Sequence, residues 1–283
     1  MPIKRIYIMT DLEGVAGILD HKNWCSPGSN YYDLAKKFLT MEVNAAVAGY
    51  LEGGAEEIVV ADGHGPGALN PELLDERVEL QRGWPSETWP LGLDQSFDAC
   101  AWVGQHARSR SVGAHLAHTQ GFGYYELKVN GIAIGEFGQL AMCASELGVR
   151  SIFGSGDLAF AKEARDLVPG IETVGVKRGL QSKPGDGLSW EDYSSWNTAA
   201  VHLHPARARK LIKIGARRSI DRASKEDFGM IAMKPPFRRV AIFRPHGETG
   251  WQISRETHEG SFAGLMNMPY HPVDMEAPPG SQM

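Results

Sequence analysis

Residues Ile3–Gly14 read IKRIYIMTDLEG, and the interpretation of the whole chain starts from this stretch. Its first half is β-branched and aromatic, which is typical of a strand. Asp11 and Glu13 follow at the carboxyl end of that strand. Because side chains two residues apart on an extended chain point to the same face, the two carboxylates should project together. Adjacent carboxylates repel each other unless a cation lies between them. The stretch therefore predicts either a cation site or an acidic turn that caps the next element.

Composition limits the classes of protein to which the chain can belong. It has 283 residues, of which 42% are hydrophobic, enough for one large domain or two small ones. The formal net charge of −5 gives no basic footprint for nucleic acid. No apolar run approaches the ~20 residues that span a bilayer, and no signal sequence precedes the first strand. The three cysteines are widely spaced and suit a reducing compartment. We therefore expect a cytoplasmic protein without membrane or nucleic-acid partners.

Alternating helix and strand patterns follow the opening stretch. Apolar residues at three- and four-residue steps predict a helix over Tyr31–Leu51. Compact apolar runs at Glu57–Ala61 and Cys100–Gly104 predict strands, and each is followed by a polar segment that contains a histidine, His64 or His106. This order predicts a three-layer α/β/α fold with a mainly parallel or mixed central sheet. In such folds ligands bind beyond the carboxyl ends of the strands.

The second half of the chain has a hairpin signal and further strands. Asn130-Gly131 lies between two apolar runs and predicts a hairpin, after which Gly135 opens a helix through Leu147. Further elements are expected at residues 151–154, 172–176, 205–214 and 237–243. We expect a single α/β domain over residues 1–258, with a second lobe at about 177–236 as an option, and an extended arm over 259–283. The apolar residues of the arm would fit a neighbouring subunit, unless the arm is a disordered tail.

Two tryptophans lie in an irregular segment between the second and third predicted strands. Trp84 and Trp89 are surrounded by Gly and Pro residues, so no periodic pattern indicates which way they face. They could be additional core, or they could form an apolar wall for a substrate.

Metal-capable side chains follow several predicted strands and should meet at one edge of the sheet. Carboxylates and imidazoles together suit zinc or manganese. Five such ligands, one of them a bridging carboxylate, could hold two ions roughly 3.5–4 Å apart, as in two-metal hydrolases. The residues are Asp11, Glu13, His64, His106 and Glu136.

Five ordered motifs resemble those of the M55 family of zinc D-aminopeptidases, whose type member was first described as a dipeptide transport protein. They are Thr10-Asp11-Leu12-Glu13-Gly14, Asp62-Gly63-His64-Gly65, Gly104-Gln105-His106-Ala107, Leu116-Ala117-His118-Thr119, and Asn130-Gly131 with Gly135-Glu136. The resemblance implies that the same five residues bind metal and that His118 is catalytic. It further implies an aminopeptidase for short peptides or amino acid amides, D-selectivity, two zinc ions per subunit with manganese as an alternative, and a homo-oligomer, with the decamer as the family's form.

Three features depart from the family pattern or leave an alternative open. Gly63 stands where a small hydroxyl residue is expected, and Gln105 where an aromatic or apolar residue is common, so both could reshape the site. His115 lies three residues before His118 and could take the catalytic role instead. His246, after a late strand, could also line the site. The alternative functions are hydrolysis of another amide or of a phosphoester, and non-catalytic peptide binding.

Overall fold

The computed structural model describes residues 2–85 and 87–281, and these described residues form twelve strands and seven helices. The strands are β1 (Arg5–Thr10), β2 (Glu57–Asp62), β3 (Glu79–Gln81), β4 (Ala99–Gln105), β5 (Tyr124–Val129), β6 (Ile132–Ala133), β7 (Arg150–Asp157), β8 (Glu172–Gly179), β9 (Ala200–His202), β10 (Phe237–Phe243), β11 (Gln252–His258) and β12 (Val273–Asp274). The helices are α1 (His21–Trp24), α2 (Tyr32–Glu52), α3 (Glu136–Glu146), α4 (Leu158–Leu167), α5 (Trp190–Trp196), α6 (Pro205–Ala223) and α7 (Phe262–Asn267).

The main sheet has seven strands in the order β3-β2-β1-β4-β7-β8-β9. All neighbours are parallel except β9, which runs antiparallel to β8 at the edge. β1 lies between β2 and β4, with Ile6 in register with Ile58 on one side and Ala99 on the other. The predicted α/β fold with a mainly parallel sheet is confirmed.

Helices cover both faces of this sheet, as the near-continuous burial of its strands requires. β1 shows the alternation: Ile6 and Ile8 belong to the core that includes residues of α2 and α6, whereas Tyr7 and Met9 belong to the core on the opposite face with α3 and α4. The helix predicted to begin at Pro205 continues to Ala223 and packs along α2.

A second, antiparallel sheet has the order β12-β11-β10-β5-β6 and shares the core of α3 and α4. The sequence indicated the β5–β6 hairpin and β10 separately, but it did not indicate that they pair. β10 pairs with β11, the next strand in the chain, and on its other side with β5 through register positions more than a hundred residues away, such as Ala241 with Leu127. Such long-range pairings carry no local signal.

The C-terminal residues differ from the extended arm that the sequence suggested. Residues 262–267 form α7, in which Phe262 and Leu265 are fully buried in this chain's own core. β12 pairs with β11. These apolar side chains are therefore not available to a neighbouring subunit, because they complete the core beneath the second sheet. Among the described residues, no helix combines the length and apolar character that crossing a membrane demands.

Candidate metal centre

Three adjacent strands deliver four of the predicted ligands to one edge of the main sheet. Asp11 directly follows β1, with Glu13 two residues later; His64 lies two residues beyond β2, and His106 directly follows β4. Because β2, β1 and β4 are parallel neighbours, their carboxyl ends lie side by side. The fifth residue, Glu136, arrives differently, since it is the first residue of α3 and follows the β5–β6 hairpin of the second sheet.

Two glycines let the loop after β1 pack directly on the end of β4. Gly104 has φ +81°, and a Cβ there would lie 2.0 Å from the backbone oxygen of Asp11. A Cβ at Gly14 would lie 2.1 Å from the Gln105 backbone oxygen. Two backbone hydrogen bonds join the loop to β4, from Asp11 N to Val103 O (2.9 Å) and from Gly14 N to Gly104 O (2.7 Å). This close approach fixes where the two carboxylates begin.

Asp11, Glu13 and His64 form one group of candidate ligands. His64 Nδ1 lies 3.3 Å from Asp11 Oδ1 and 3.1 Å from Glu13 Oε2. One ligand atom from each of the three residues can be chosen so that all lie within 4.8 Å of one another. All three residues are buried, Glu13 at 2% exposure. A mixed oxygen and nitrogen set at this spacing suits a zinc ion.

His106, His118 and Glu136 form a second group within the same 4.8 Å limit. Glu136 Oε1 lies 3.5 Å from His106 Nε2 and 3.7 Å from His118 Nε2. The rings of His106 and His118 stack with centroids 3.9 Å apart. The fold thus brings His118, which the family resemblance assigned to catalysis, beside the two residues assigned to the metal.

Asp11 lies between the two groups. Its Oδ1 faces His64 at 3.3 Å, while its Oδ2 lies 3.2 Å from His106 Nε2. Gln105 Nε2 also donates to Oδ2 at 3.0 Å, and the backbone N of Leu12 donates to Oδ1 at 2.8 Å. One carboxylate with an oxygen directed at each group has the arrangement that a bridging ligand needs.

Each of the three imidazoles is hydrogen-bonded to a backbone oxygen through one ring nitrogen, and its other nitrogen faces the carboxylates of the site. His64 Nε2 is 2.8 Å from Cys25 O, His106 Nδ1 is 2.9 Å from Ala107 O, and His118 Nδ1 is 2.8 Å from Leu116 O. The anchored nitrogen donates its proton to the carbonyl, so the lone pair of the neutral ring lies on the opposite nitrogen, where a cation held by the carboxylates could accept it. Metal-binding histidines in proteins are held in the same way.

The buried glutamates and histidines of the site shift one another's pKa values. Burial acts to raise the pKa of Glu13, but His64 outweighs it and holds that pKa well below its usual range. Burial also acts to raise the pKa of Glu136, but His106 outweighs it and lowers that pKa to about 2. Burial acts to lower the pKa of His64, but Glu13 and Asp11 raise it to about 12. Glu13 and Glu136 are therefore stabilised as carboxylates by nearby positive charge, which a divalent cation can supply on displacing the imidazole protons.

Two buried atoms of the site lack a hydrogen bond within residues 2–85 and 87–281. Glu13 Oε2 and His106 Nε2 each face oppositely charged groups but have no partner with hydrogen-bond geometry. Buried polar atoms are ordinarily paired, because leaving one unpaired costs about 1–3 kcal/mol. Both atoms belong to the predicted ligand set. Their orientation and the chemistry of the donor groups fit bound zinc.

His115 and His118 have different environments. His115 Nε2 lies 3.1 Å from both Leu19 O and Thr198 O, outside both groups, and burial lowers the pKa of its ring to about 2. Burial and then the charge of His106 lower the pKa of His118, which keeps a neutral ring beside Glu136. The geometry favours His118 as the residue that can exchange protons with a bound molecule.

Two residues near the site were not recognised from the sequence. His21 Nε2 lies 3.8 Å from Glu13 Oε1, and its ring meets Phe122 edge-on, which in turn contacts His118. Lys177 of β8 is buried and donates to the backbone oxygens of Glu13 and Ile18. Neither carries a sequence signal, because His21 is placed by the course of the loop between β1 and α2, and Lys177 by the packing of β8 against that loop.

The other histidines take structural or peripheral positions. His246 is exposed and pairs with Glu191; it is not among the residues that line the cavity beside the candidate ligands. His202 Nδ1 accepts from Gly17 N at 3.1 Å, and His204 caps α6. The three cysteines are free and buried.

Comparison with known proteins gives concordant results. The sequence profile of a peptidase family described as Peptidase M55, D-aminopeptidase, matches residues 4–249. A D-aminopeptidase of Bacillus subtilis (strain 168) is 26% identical over 254 residues, covering 87% of this chain and 84% of that protein. A solved structure described as the zinc-dependent D-aminopeptidase DppA from Bacillus subtilis, a self-compartmentalizing protease, superposes with a TM-score of 0.79. The two chains are 21% identical over 93% of this chain and 94% of the other, so this likeness concerns the fold.

Proposed function

Because the chain belongs to the M55 peptidase family of D-aminopeptidases, we propose that it hydrolyses the N-terminal amide bond of short peptides or amino acid amides, with a preference for D-residues. The family and the B. subtilis D-aminopeptidase support the reaction and the chirality. The zinc dependence stated for the similar structure supports the metal.

We propose two zinc ions per subunit, bound by Asp11, Glu13, His64, His106 and Glu136, with Asp11 as the bridge; manganese could replace zinc in such a ligand set. The observation that carries this proposal is the position of Asp11, whose two oxygens lie 3.3 Å and 3.2 Å from histidines of separate ligand groups. When bound, a zinc pair would lower the pKa of a water molecule and polarise the scissile carbonyl.

His118 would move the proton between the attacking water and the leaving amine. Its Nδ1 is committed to Leu116 O, so only Nε2 is free, and the lowered pKa leaves that nitrogen able to accept a proton. Glu136 Oε1, 3.7 Å away, would stabilise the protonated ring. A neutral imidazole that holds one fixed orientation is suited to general acid/base catalysis.

Metal removal and a substrate panel test this function. Chelation should abolish hydrolysis of aminoacyl amides, and zinc or manganese should restore it. The panel should contain D- and L-aminoacyl amides and one phosphoester. Turnover of the phosphoester alone would indicate a different metal-dependent hydrolase, and peptide binding without turnover would indicate a binding protein.

A ligand substitution with a matched control tests the residues. Glu136→Gln should lose activity and part of the bound zinc, because the amide carries no charge for the cation. Asp94→Asn is the control, since Asp94 is exposed, lies outside both groups of candidate ligands, and accepts hydrogen bonds from Ser96 of its own loop. Equal zinc content and equal activity in both variants would refute the ligand assignment.

We also propose that the protein is a homo-oligomer, a decamer as the family resemblance implies, that admits only short substrates. The description of the similar B. subtilis structure as self-compartmentalizing supports this proposal. Light scattering and a substrate-length series test the oligomer: a monomer that trims long folded proteins as readily as dipeptides would refute this proposal.

Within each subunit, residues 1–258 would act as one metallohydrolase unit and 259–283 as its C-terminal segment.

A further inference from the structure

A cavity of about 260 Å³ opens directly beside the candidate metal ligands. Asp11, His64 and Glu136 are among the residues that line it, together with polar residues, namely Thr10, Thr88, Gln105 and Gln120. Its apolar lining comes from four separate parts of the chain: Met9, Trp84, Trp89, Leu91, Trp102 and Leu140. The cavity therefore combines candidate metal ligands with apolar surface, the composition of a pocket that orients an amphipathic molecule.

The wall formed by the segment around Trp89 is held from two directions. Asn267 of α7 accepts a hydrogen bond from the backbone N of Trp89 and donates one to its backbone oxygen, both at 2.9 Å. The hydroxyl of Tyr7, which lies on β1, donates to Leu91 O. Trp84 and Trp89 are both half-buried and pack against the core of α3. The tryptophans thus belong to a fixed surface that serves the core on one side and the cavity on the other.

We propose that this cavity binds the side chain of the substrate's N-terminal residue and selects large apolar side chains, aromatic ones above all. The proposal rests on the aminopeptidase function proposed above. In an aminopeptidase the scissile carbonyl and the free α-amine must both lie at the metal ligands, so the side chain between them must enter whatever space adjoins those ligands. Here Trp84, Trp89 and Trp102 are among the residues that line that space.

Size and ring geometry favour an aromatic side chain over a small one. Pockets for drug-sized ligands begin at about 300 Å³, so 260 Å³ suits one amino acid and not a longer segment. Indole rings bury large apolar areas and prefer edge-to-face or offset contacts with other rings. A methyl side chain would leave most of the tryptophan surface without a partner.

Steady-state kinetics of the zinc-loaded full chain test the preference. The substrates are the amides of alanine, leucine and phenylalanine, in both D and L series. We expect kcat/KM for phenylalanine amide to exceed that for alanine amide by about tenfold or more, since even one methylene contributes about this factor in an apolar pocket. Trp84→Ala and Trp89→Ala should each reduce the phenylalanine-to-alanine ratio by about 10-fold or more. Trp251→Ala is the matched control, because Trp251 is also half-buried but packs on Tyr125, away from the cavity; its ratio should stay unchanged.

A binding measurement separates this proposal from the proposed reaction. Calorimetric titration with free phenylalanine and free alanine reports the pocket even if no amide is hydrolysed. Phenylalanine should bind at least about tenfold more tightly than alanine, and Trp89→Ala should remove that difference. Equal affinity of the two amino acids for the wild-type protein would overturn the proposal, as would tryptophan variants that lose activity on all three amides in equal proportion. Failure of hydrolysis with the binding preference intact would count against the reaction alone.

Discussion

One added methyl group at Gly104 should disturb both the fold and the candidate metal site. Gly104→Ala adds a Cβ that would lie 2.0 Å from Asp11 O, 2.8 Å from Val15 Cγ2 and 3.0 Å from Leu39 Cδ1. The φ of +81° costs an L-residue about 1–2 kcal/mol. Overpacking a close contact adds about 1–3 kcal/mol. We expect a total loss of about 2–5 kcal/mol, a large part of the roughly 5–15 kcal/mol that stabilises a typical protein.

Gly54→Ala provides the matched control for this experiment. Gly54 also has a positive φ, +93°, but no atom lies within 4 Å of the Cβ position. It should lose only the backbone contribution of about 1–2 kcal/mol. Urea unfolding at equal protein concentration measures both variants. Because Asp11 must also move, Gly104→Ala should weaken zinc binding by about 10–100-fold, the range typical when residues that support metal ligands are changed. Equal unfolding free energies and zinc affinities for the two variants would refute the close-approach argument.

Three further substitutions test other parts of the account. His118→Ala should reduce kcat by about 10²–10⁴-fold, whereas His115→Ala should reduce stability more than activity; the reverse order in an assay of both would reassign the role. Burial raises the pKa of Glu42 from 4.5 to about 7, so this residue should make folding stability fall as pH rises from about 4.5 through 7, and Glu42→Gln should make the decline in urea titrations shallower. Gly63→Ser should destabilise the fold by about 1–3 kcal/mol, since its Cβ would lie 2.4 Å from Met9 Sδ and 2.5 Å from Thr10 O, while Gly65→Ser, with open space around it, should not.

The sequence predicted those features that depend on local pattern. β1, α2, β2 and β4 carry compact apolar runs or helical periodicity, and their observed bounds lie within two residues of the predicted ones. Parallel neighbours then bring the groups that follow them to one edge, which is why Asp11, His64 and His106 could be selected without a structure. The family resemblance pointed to the same residues, and the family assignment is confirmed by the profile match over residues 4–249.

The remaining features depend on contacts between distant parts of the chain. Glu136 reaches the site from the second sheet, whose assembly depends on pairing β5 with β10. The burial of α7 required knowledge of the core that it covers, and α5 lies in the stretch at about 177–236 for which the sequence offered only an optional second lobe. Trp84 and Trp89 could not be assigned between core and substrate wall, since they pack against the core and also line the cavity. His21 has no pattern around it and is placed only by the loop that leads to α2.

The metal content of catalytically active protein tests the central claim most directly. Elemental analysis of purified, dialysed and fully active enzyme should find two zinc or manganese ions per chain, and stepwise loss of these ions should parallel loss of activity. Active protein that holds no transition metal would contradict the account.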